Sequence, residues 1–456
     1  MSRKKSKTLK NLLEEFLVTP DEQLYKVPQN WLWVKSQAIA DWGSGGTPAR
    51  KNLEYYNGDI PWIKSGELRD QVVFETEEHI TKVAIKNSGA KIFPKGSVAI
   101  AMYGATIGRV GVLGIDAATN QACAVGTPKS PTMTDYMFYY FLSQREQLIN
   151  LGKGGAQSNI SLTIIKNYPF PLPPMSEQRR IVDRVYRLLE KISLAKKFIN
   201  EARVTLELLR EAIIDMAFSG ELTVKWRKEN SVSLEKWIQV SLKDILHVNP
   251  PKRGLDDIPD DQECSFIPMQ AVSEITGTIA EPEIRKYSEV KKGYTFFMDG
   301  DVIFAKITPC MENGKSALVS GLINGFGFGS TEFFVLRAKD PDKINMKLIY
   351  YLIRSKSFRM QAKSVMSGAV GQQRVPKAFI EDYPFLLPPK EEQDQIVIIL
   401  DSMFEKEKMV EEYISNYGDL ENLEKSILTK AFCGELGTND PAEESAIRLL
   451  IDTLSS

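Results

Sequence analysis

A long junction written twice constrains this chain more than anything else in it. Tyr168-Pro169-Phe170-Pro171-Leu172-Pro173-Pro174 leads to Glu177-Gln178, Ile181 and Val182; Tyr383-Pro384-Phe385-Leu386-Leu387-Pro388-Pro389 leads to Glu392-Gln393, Ile396 and Val397. About 215 residues separate the copies throughout, the mark of a tandem duplication. A second echo closes each copy, where Ala217-Phe218-Ser219-Gly220-Glu221-Leu222 returns as Ala431-Phe432-Cys433-Gly434-Glu435-Leu436. One polypeptide made of two like halves imitates a homodimer, and dimers suit targets that themselves come in two halves.

Past the paired prolines the apolar period changes. Ile181, Val185, Leu188, Ile192, Ala195, Ile199, Ala202, Leu206, Leu209, Ile213 and Met216 alternate steps of four and three. That is a coiled-coil seam, expected on one helix from Ser176 to near Gly220. Such a rod measures roughly 60 Å at 1.5 Å per residue, longer than the ~34 Å of one DNA turn. The second copy repeats the seam as Ile396, Leu400, Met403, Glu407, Val410, Ile414 and Tyr417, then resumes at Leu420, Leu423 and Ile427. Tyr417 to Leu420 is a step of three where Ala202 to Leu206 is a step of four. One residue is missing beside Gly418, so the second rod is expected to bend or lose regularity there.

The segments before the rods, about 28 to 172 and 233 to 387, read as strands. Short apolar runs such as Ser97-Val98-Ala99-Ile100-Ala101-Met102 and Asp301-Val302-Ile303-Phe304-Ala305 alternate with Gly, Pro and Asn turns. A helix is expected to close each, around Tyr136 to Asn150 and Lys347 to Lys363. Their openings match as Trp31-Leu32-Trp33-Val34 and Trp237-Ile238-Gln239-Val240, and a late loop matches as Gln157-Ser158-Asn159-Ile160 and Gln372-Gln373-Arg374-Val375. Between these landmarks the halves diverge, as two different readers on one frame would.

Composition narrows the function classes. With 456 residues, 43% hydrophobic and 26% charged, the chain has the profile of a soluble protein with about three domains' worth of sequence. No apolar run approaches the ~20 residues of a membrane span, and Lys10, Asn11, Glu14 and Glu15 break the opening as a signal peptide. Four scattered cysteines and two histidines, His79 and His247, support neither a disulfide framework nor a zinc site, so a reducing cytoplasm is expected. A net charge of −1 requires any nucleic-acid surface to be locally basic.

Catalytic fragments fail on inspection. Asn313-Gly314-Lys315-Ser316 ends like a Walker A loop, but Pro309 occupies the upstream glycine position. Asn249-Pro250-Pro251-Lys252 has lysine where an amino-methyltransferase motif needs an aromatic, and the glycines of Gly104–Gly111 miss the dinucleotide spacing. No nucleophile-histidine set suggests itself. Polar loops remain. Gly45, Gly46 and Thr47 followed by Arg50 and Lys51 suit a phosphate, with Lys64 as a further cation. Asn120, Gln121 and Gln157 could pair with adenine and Arg109 with guanine. The second segment offers Lys252, Arg253, Lys291, Lys292, Gln372, Gln373 and Arg374.

With its two Tyr-Pro-Phe-x-Leu-Pro-Pro…Glu-Gln…Ile-Val junctions, its two Ala-Phe-x-Gly-Glu-Leu ends and its Trp-containing segment starts, the chain resembles the specificity subunits of type I restriction-modification systems over nearly its whole length. The resemblance implies an α+β fold with two strand-rich target recognition domains, separated by two long antiparallel coiled-coil helices in a pseudo-twofold internal repeat. The expected division is an N-terminal, partly helical segment at 1–27, recognition domains at 28–174 and 223–389, spacer helices at 175–222 and 390–436, and a tail at 437–456. Within the spacers, Ile181, Val185, Leu188, Ile192, Ile199, Leu206, Leu209, Ile396, Leu400, Met403, Val410, Ile414, Leu423 and Ile427 would form the seam.

By the same resemblance the chain has no catalysis of its own and reads an asymmetric, bipartite double-stranded DNA target in the major groove. Its partners would be two modification subunits, which carry S-adenosylmethionine and methylate adenine, and two restriction subunits, which use ATP and Mg²⁺. The competing readings are a coiled-coil interaction scaffold whose strand-rich domains bind protein and a self-contained methyltransferase or nuclease. The amphipathic opening with Leu9, Leu12, Leu13, Phe16 and Leu17 could pack on the rods or bind a partner; the tail after Gly437 is equally open, with a short helix expected over Ala446 to Leu454.

Overall fold

Alternation of side chains in the short apolar runs produces two stacked sheets, and it does so twice. The computed structural model describes residues 9–152, 159–252, 255, 257–369, 371–416 and 419–455. The chain divides into two units, one holding Met1–Phe198 with Tyr417–Ser456 and the other Ile199–Asn416.

Strands of the first unit, in chain order, are β1 (Leu32–Lys35), β2 (Ala40–Ser44), β3 (Tyr56–Ile63), β4 (Gln71–Val73), β5 (His79–Ile80), β6 (Ile92–Phe93), β7 (Val98–Ala101), β8 (Val110–Leu113), β9 (Ala117–Thr119), β10 (Cys123–Pro128) and β11 (Pro169–Leu172). Those of the second are β12 (Ile238–Ser241), β13 (Leu246–Val248), β14 (Glu263–Ile267), β15 (Glu283–Lys286), β16 (Thr295–Met298), β17 (Val302–Ala305), β18 (Ser316–Leu318), β19 (Phe326–Gly329), β20 (Phe333–Ala338) and β21 (Pro384–Leu387). The helices are α1 (Leu9–Phe16), α2 (Lys82–Asn87), α3 (Thr134–Ser143), α4 (Arg145–Leu151), α5 (Leu162–Asn167), α6 (Met175–Ser219), α7 (Val224–Asn230), α8 (Leu242–Ile245), α9 (Tyr287–Val290), α10 (Met346–Arg354), α11 (Lys356–Ser364), α12 (Lys377–Glu381), α13 (Lys390–Asn416), α14 (Leu420–Phe432) and α15 (Ile447–Ser455).

The sheet orders coincide except at β4, an edge strand with no counterpart in the second unit. β2-β10-β7-β8-β4 in the first unit corresponds to β13-β20-β17-β18 in the second, and β5-β3-β9-β6 to β15-β14-β19-β16. Even the parallel pair recurs, β3 with β9 and β14 with β19, amid otherwise antiparallel neighbours in that sheet. The small ribbons β1-β11 and β12-β21 tie each segment's Trp-containing start to its Pro-Pro end. Because successive side chains point to opposite faces, Val98 and Ile100 join the core under the helices while Ala99 and Ala101 join the core between the sheets. Val302 and Phe304 against Ile303 and Ala305 do the same in the second unit. Each closing helix is in fact two. α3 ends before Gln144 and α10 before Ser355, whose hydroxyl accepts from the amide of Phe358 (3.1 Å) and so starts a new helix.

The repeated junction is a packing device. Glu177 and Glu392 are wholly buried. Trp31 Nε1 donates to Glu177 at 2.7 Å and Trp237 Nε1 to Glu392 at 2.8 Å, so the tryptophan opening each segment is bonded to the glutamate closing it. The neighbouring glutamines donate to their own prolines, Gln178 to the Pro173 carbonyl and Gln393 to that of Pro388, both at 2.9 Å. Further donors to Glu392 are Thr223 (2.6 Å) and Arg227 (2.5 Å); those to Glu177 are Asn439 (2.8 Å) and Thr438 (3.4 Å). The tail therefore does in the first unit what 220–237 does in the second. It is fastened further by Arg180, which donates to both carboxylate oxygens of Glu443 at 2.8 Å. The opening segment packs here too, with Leu13, Phe16 and Leu17 against the same core.

Gly220 (φ +82°) and Gly434 (φ +75°) end α6 and follow α14 in a left-handed conformation that glycine adopts without steric penalty. Ala217 and Ala431 are fully buried, and the Phe432 ring stands 5.2 Å from Tyr136 and 5.3 Å from Tyr140. Within the first unit the start of α6 runs antiparallel to α14: Ile181 and Val185 share a core with Leu428 and Phe432, while Lys196 meets Glu424 at 2.9 Å. Within the second, Ala217 shares a core with Ile396 and Leu400, and Arg210 meets Glu407 at 2.8 Å.

The seam departs from the expected register in four places. Leu209 is 51% exposed, Met216 39%, Val410 42% and Leu423 48%, so these do not form the seam. From Leu206 it passes instead through Arg210 and Ile214 to Ala217, steps of four, four and three, because 3.6 residues per turn drifts against a 3.5 repeat. Glu407, an anomaly in an apolar seam, is the partner of Arg210. The shortened step at Tyr417-Gly418 lies outside the described residues; α13 ends at Asn416 and α14 begins at Leu420, with the Asp419 side chain accepting from the amide of Asn422 (3.3 Å).

Candidate nucleic-acid interface

Backbone hydrogen bonds align the two loop ends residue by residue. Ala101 donates to Arg109 and Ala305 to Lys315, each at 2.9 Å; Met102 donates to Ala122 (2.8 Å) and Lys306 to Glu332 (2.9 Å). Ile160 donates to Met102 and Val375 to Lys306, again at 2.9 Å. Asn120 donates to Ile63 (3.0 Å) and Ser330 to Ile267 (3.3 Å). The frame is thus the same, yet Met102 is matched by Lys306, Arg109 by Lys315, Asn120 by Ser330, Ala122 by Glu332 and Asn159 by Arg374. All sit where the strands β7, β8 and β10, or β17, β18 and β20, open into loops at one end of each sheet.

In the first unit this end gathers most of the residues singled out from the sequence. The Thr47 hydroxyl donates to Gln121, and Arg50 and Lys64 converge on Glu78, the latter at 3.1 Å with Glu77 at 2.8 Å. The guanidinium of Arg50 lies 4.8 Å from the Tyr56 ring and 5.1 Å from Trp62. Arg50 and Lys64 hold the Glu78 carboxyl down at about 2, with the Arg50 hydrogen bond the largest cause. Gly45 and Gly46 are buried, and their amides donate to the carbonyls of Cys123 (3.3 Å) and Thr119 (2.9 Å). They serve close packing of backbone, since no amide is left to meet a phosphate. Asn120 is half-buried and accepts from the Cys123 thiol. Lys51 and Arg109 are exposed and have no ion pair among the described residues.

In the second unit the residues fall in two groups. Gln373 and Arg374 line the loop end: Thr308 donates to the Gln373 carbonyl at 2.9 Å, and Arg374 grips both carboxylate oxygens of Glu332 at 2.8 and 3.0 Å. Gln372 is exposed beside them. Lys252 and Lys291 form the other group, with Lys252 donating to the Lys291 carbonyl (2.8 Å) over the Phe328 ring, and Lys291 paired to Asp260 (2.5 Å). Lys292 is exposed. Gln157 and Arg253 lie outside the described residues. Lys306, Lys315, Ser330, Glu332 and Asn159 were missed by sequence reasoning. Only the matched Gln157/Gln372 loop hinted at them, because their alignment is carried by backbone bonds.

Mixed donors and acceptors on exposed strand-end loops suit base edges, arginine and lysine to guanine, amides to adenine, and a carboxylate such as Glu332 to cytosine. Among the described residues no group of histidine, cysteine or carboxylate side chains could hold a metal ion, and no helix is long and apolar enough to cross a membrane. A second surface flanks the rods. In the first unit Phe138, Tyr139, Leu142, Tyr186, Leu189 and Leu194 line a cleft of about 480 Å³ between α3 and α6.

Comparison with known proteins agrees with this architecture. The family described as the type I restriction modification DNA specificity domain matches residues 28–203 and 234–415. The chain is similar to the type I restriction enzyme EcoEI specificity subunit of Escherichia coli, with 34% identity over 258 residues, a match that takes in 47% of this chain and 43% of that protein. It thus spans less than half of that relative's length. It is also similar to the StySPI specificity subunit of Salmonella potsdam, 25% identical over 92% of both chains. In fold it is similar to a chain from a type I R-M system whose assembly and conformational transition have been described (TM-score 0.66, 19% identity, 90% of this chain and 100% of that one). The HsdS subunit from Thermoanaerobacter tengcongensis is similar as well (TM-score 0.55, 19% identity, 91% and 99%). Two matched domains, a duplicated junction that proves to be a buried Trp-Glu lock, and paired helices between make the conclusion plain: this chain belongs to the type I restriction-modification DNA specificity family.

Proposed function

We propose that this chain is the sequence-reading subunit of a type I restriction-modification complex and performs no chemistry itself. One observation carries the proposal: the two loop ends share a backbone frame and differ in side chain at matched positions, Arg109 against Lys315 and Asn159 against Arg374 among them. Shared frame with exchanged readers is what two unlike half-sites demand. Domains 28–174 and 223–389 each read one half of a bipartite duplex target, and the helices between them set the gap.

Two modification subunits bearing S-adenosylmethionine and two restriction subunits using ATP and Mg²⁺ supply the chemistry, in the cytoplasm. Exposed apolar side chains on the rods, Tyr186, Leu194 and Phe198 in the first unit and Leu208 and Met409 in the second, support protein docking there. The test is to purify the full chain with its modification partner and sequence the bound fraction of a randomised duplex library at two salt concentrations. Two unlike base blocks at a fixed spacing are expected, persisting as non-specific binding falls with salt. Absence of any base preference would favour the protein-only scaffold.

A further inference from the structure

In each unit an arginine reaches from the closing helix pair to the same two places in the reading loops. Arg354, the last residue of α10, donates to the Gly314 carbonyl at 3.1 Å and to those of Glu274 (3.2 Å) and Ile275 (2.8 Å). Arg145, the first residue of α4, donates to the Gly108 carbonyl at 3.2 Å and is paired with the Asp70 carboxylate. Gly108 and Gly314 each stand two residues before their strand, β8 or β18. Asp70 and Glu274 each lie five residues past the start of matching 3₁₀ turns, at Ser65 and Met269. The arginines themselves are not at matched positions, since one opens the second helix of its pair and the other closes the first. Two different sequence solutions therefore serve one spatial task.

We propose that Arg145 and Arg354 are positioning residues, each fixing the DNA-reading loops of its own domain to the helix pair beneath and thereby setting base discrimination at one half-site only. The proposal rests on the DNA-reading function above. A guanidinium is suited to the task because its planar fork of donors serves several acceptors at once and stays charged. In the second unit the clamp has a back plate. Lys347 and Tyr351 on α10 bond Asp401 of α13, Lys347 at 2.7 Å, while Tyr350 donates to Thr276 (3.3 Å) and Arg359 to Glu312 (2.9 Å). In the first, Tyr136 on α3 donates to the Pro171 carbonyl (2.9 Å) at the foot of α6, and Tyr140 donates to that of Pro169. The reading loops are thus referenced to the rod segment of their own unit. Base readout tolerates displacements of only ~0.5 Å, so releasing the loop should blur reading before it weakens attachment.

The test compares wild type, Arg354→Met and Arg145→Met, each as the full chain with its modification partner, on the randomised duplex library. Wild type should reject a wrong base in either half by about tenfold or more. Arg354→Met should reduce that rejection to about threefold or less across one half-site and leave the other at wild-type discrimination. Arg145→Met should do the converse. If Arg354→Met fails to fold, Arg354→Lys, which keeps the charge without the fork, should lie between them and blur the same half alone. Uniform loss over both halves would mark the arginines as merely structural and overturn the proposal, as would unchanged discrimination in a folded variant. A wild-type complex with no base preference would instead bring down the DNA-reading function itself.

Discussion

Glu78 shows how a single carboxylate governs what the first domain can offer a phosphate. Arg50 and Lys64 are both turned onto it, so DNA must compete with an existing ion pair. Glu78→Gln should release Arg50 while Lys64 stays paired with Glu77, and steepen the salt dependence of DNA binding by about one phosphate contact, read as the slope of log affinity against log salt. An unchanged slope would remove Arg50 from the interface. At the junction the tryptophan–glutamate bond makes a different claim. Trp237→Phe withdraws one donor from a buried carboxylate, and a loss of about 1–3 kcal/mol in unfolding stability is expected by denaturant titration. Glu177 adds a pH signature. Burial raises its carboxyl above the ordinary value of 4.5, against hydrogen bonds from Asn439 and Trp31 that lower it. The folded state therefore holds the proton to higher pH, and the associated stability, complete below the ordinary value, is lost as pH rises through the raised one. Glu177→Gln cannot ionise, so its melting temperature should decline less over that rise than that of wild type; parallel profiles would refute the assignment. Sequence alone picked out Trp31, Trp237 and the Glu-Gln pairs by repetition, but could not show that they touch, because 146 residues separate the first pair. Gly45 and Gly46 were misread for a related reason, since a glycine that admits a phosphate and one that admits a neighbouring strand look alike in a string.

At the scale of elements, the rods were legible because period and length survive in sequence, while their exact register was not. Leu209, Val410 and Leu423 satisfy the heptad rule and still face solvent, for a straight helix drifts and a paired helix gives each side chain few neighbours away from the domain cores. The polar layer is the informative exception. Arg210→Met alone strands Glu407, 8% exposed, without its partner and should destabilise by about 1–3 kcal/mol, less than a fully buried pair because Arg210 is itself partly solvated. The double variant Arg210→Met with Glu407→Met should recover most of that loss or exceed wild type. A double-mutant cycle in thermal unfolding checks the point, and additive losses would show that the pair carries no coupling. The closing helices teach the converse lesson. Each was read as one element because its apolar residues persist, yet Ser355 caps a new start, a local hydrogen bond outweighing continuation.

For the molecule as a whole, repetition of the sheet orders could not be read from the diverged segments. Strand order is fixed by backbone bonds, which constrain little beyond alternation of apolar side chains, and two sequences can diverge freely on that pattern. Direct repeat of the junction, by contrast, was visible at once and led to the paired helices and the two readers. Frame and readers are separable in this molecule. Methylome sequencing after deletion of seven residues between Ala195 and Leu206 addresses this most directly, since it alters the rod and touches no reading loop. The gap between methylated half-sites should change while both half-site sequences stay as in wild type. An unchanged gap, or altered half-sites, would contradict it.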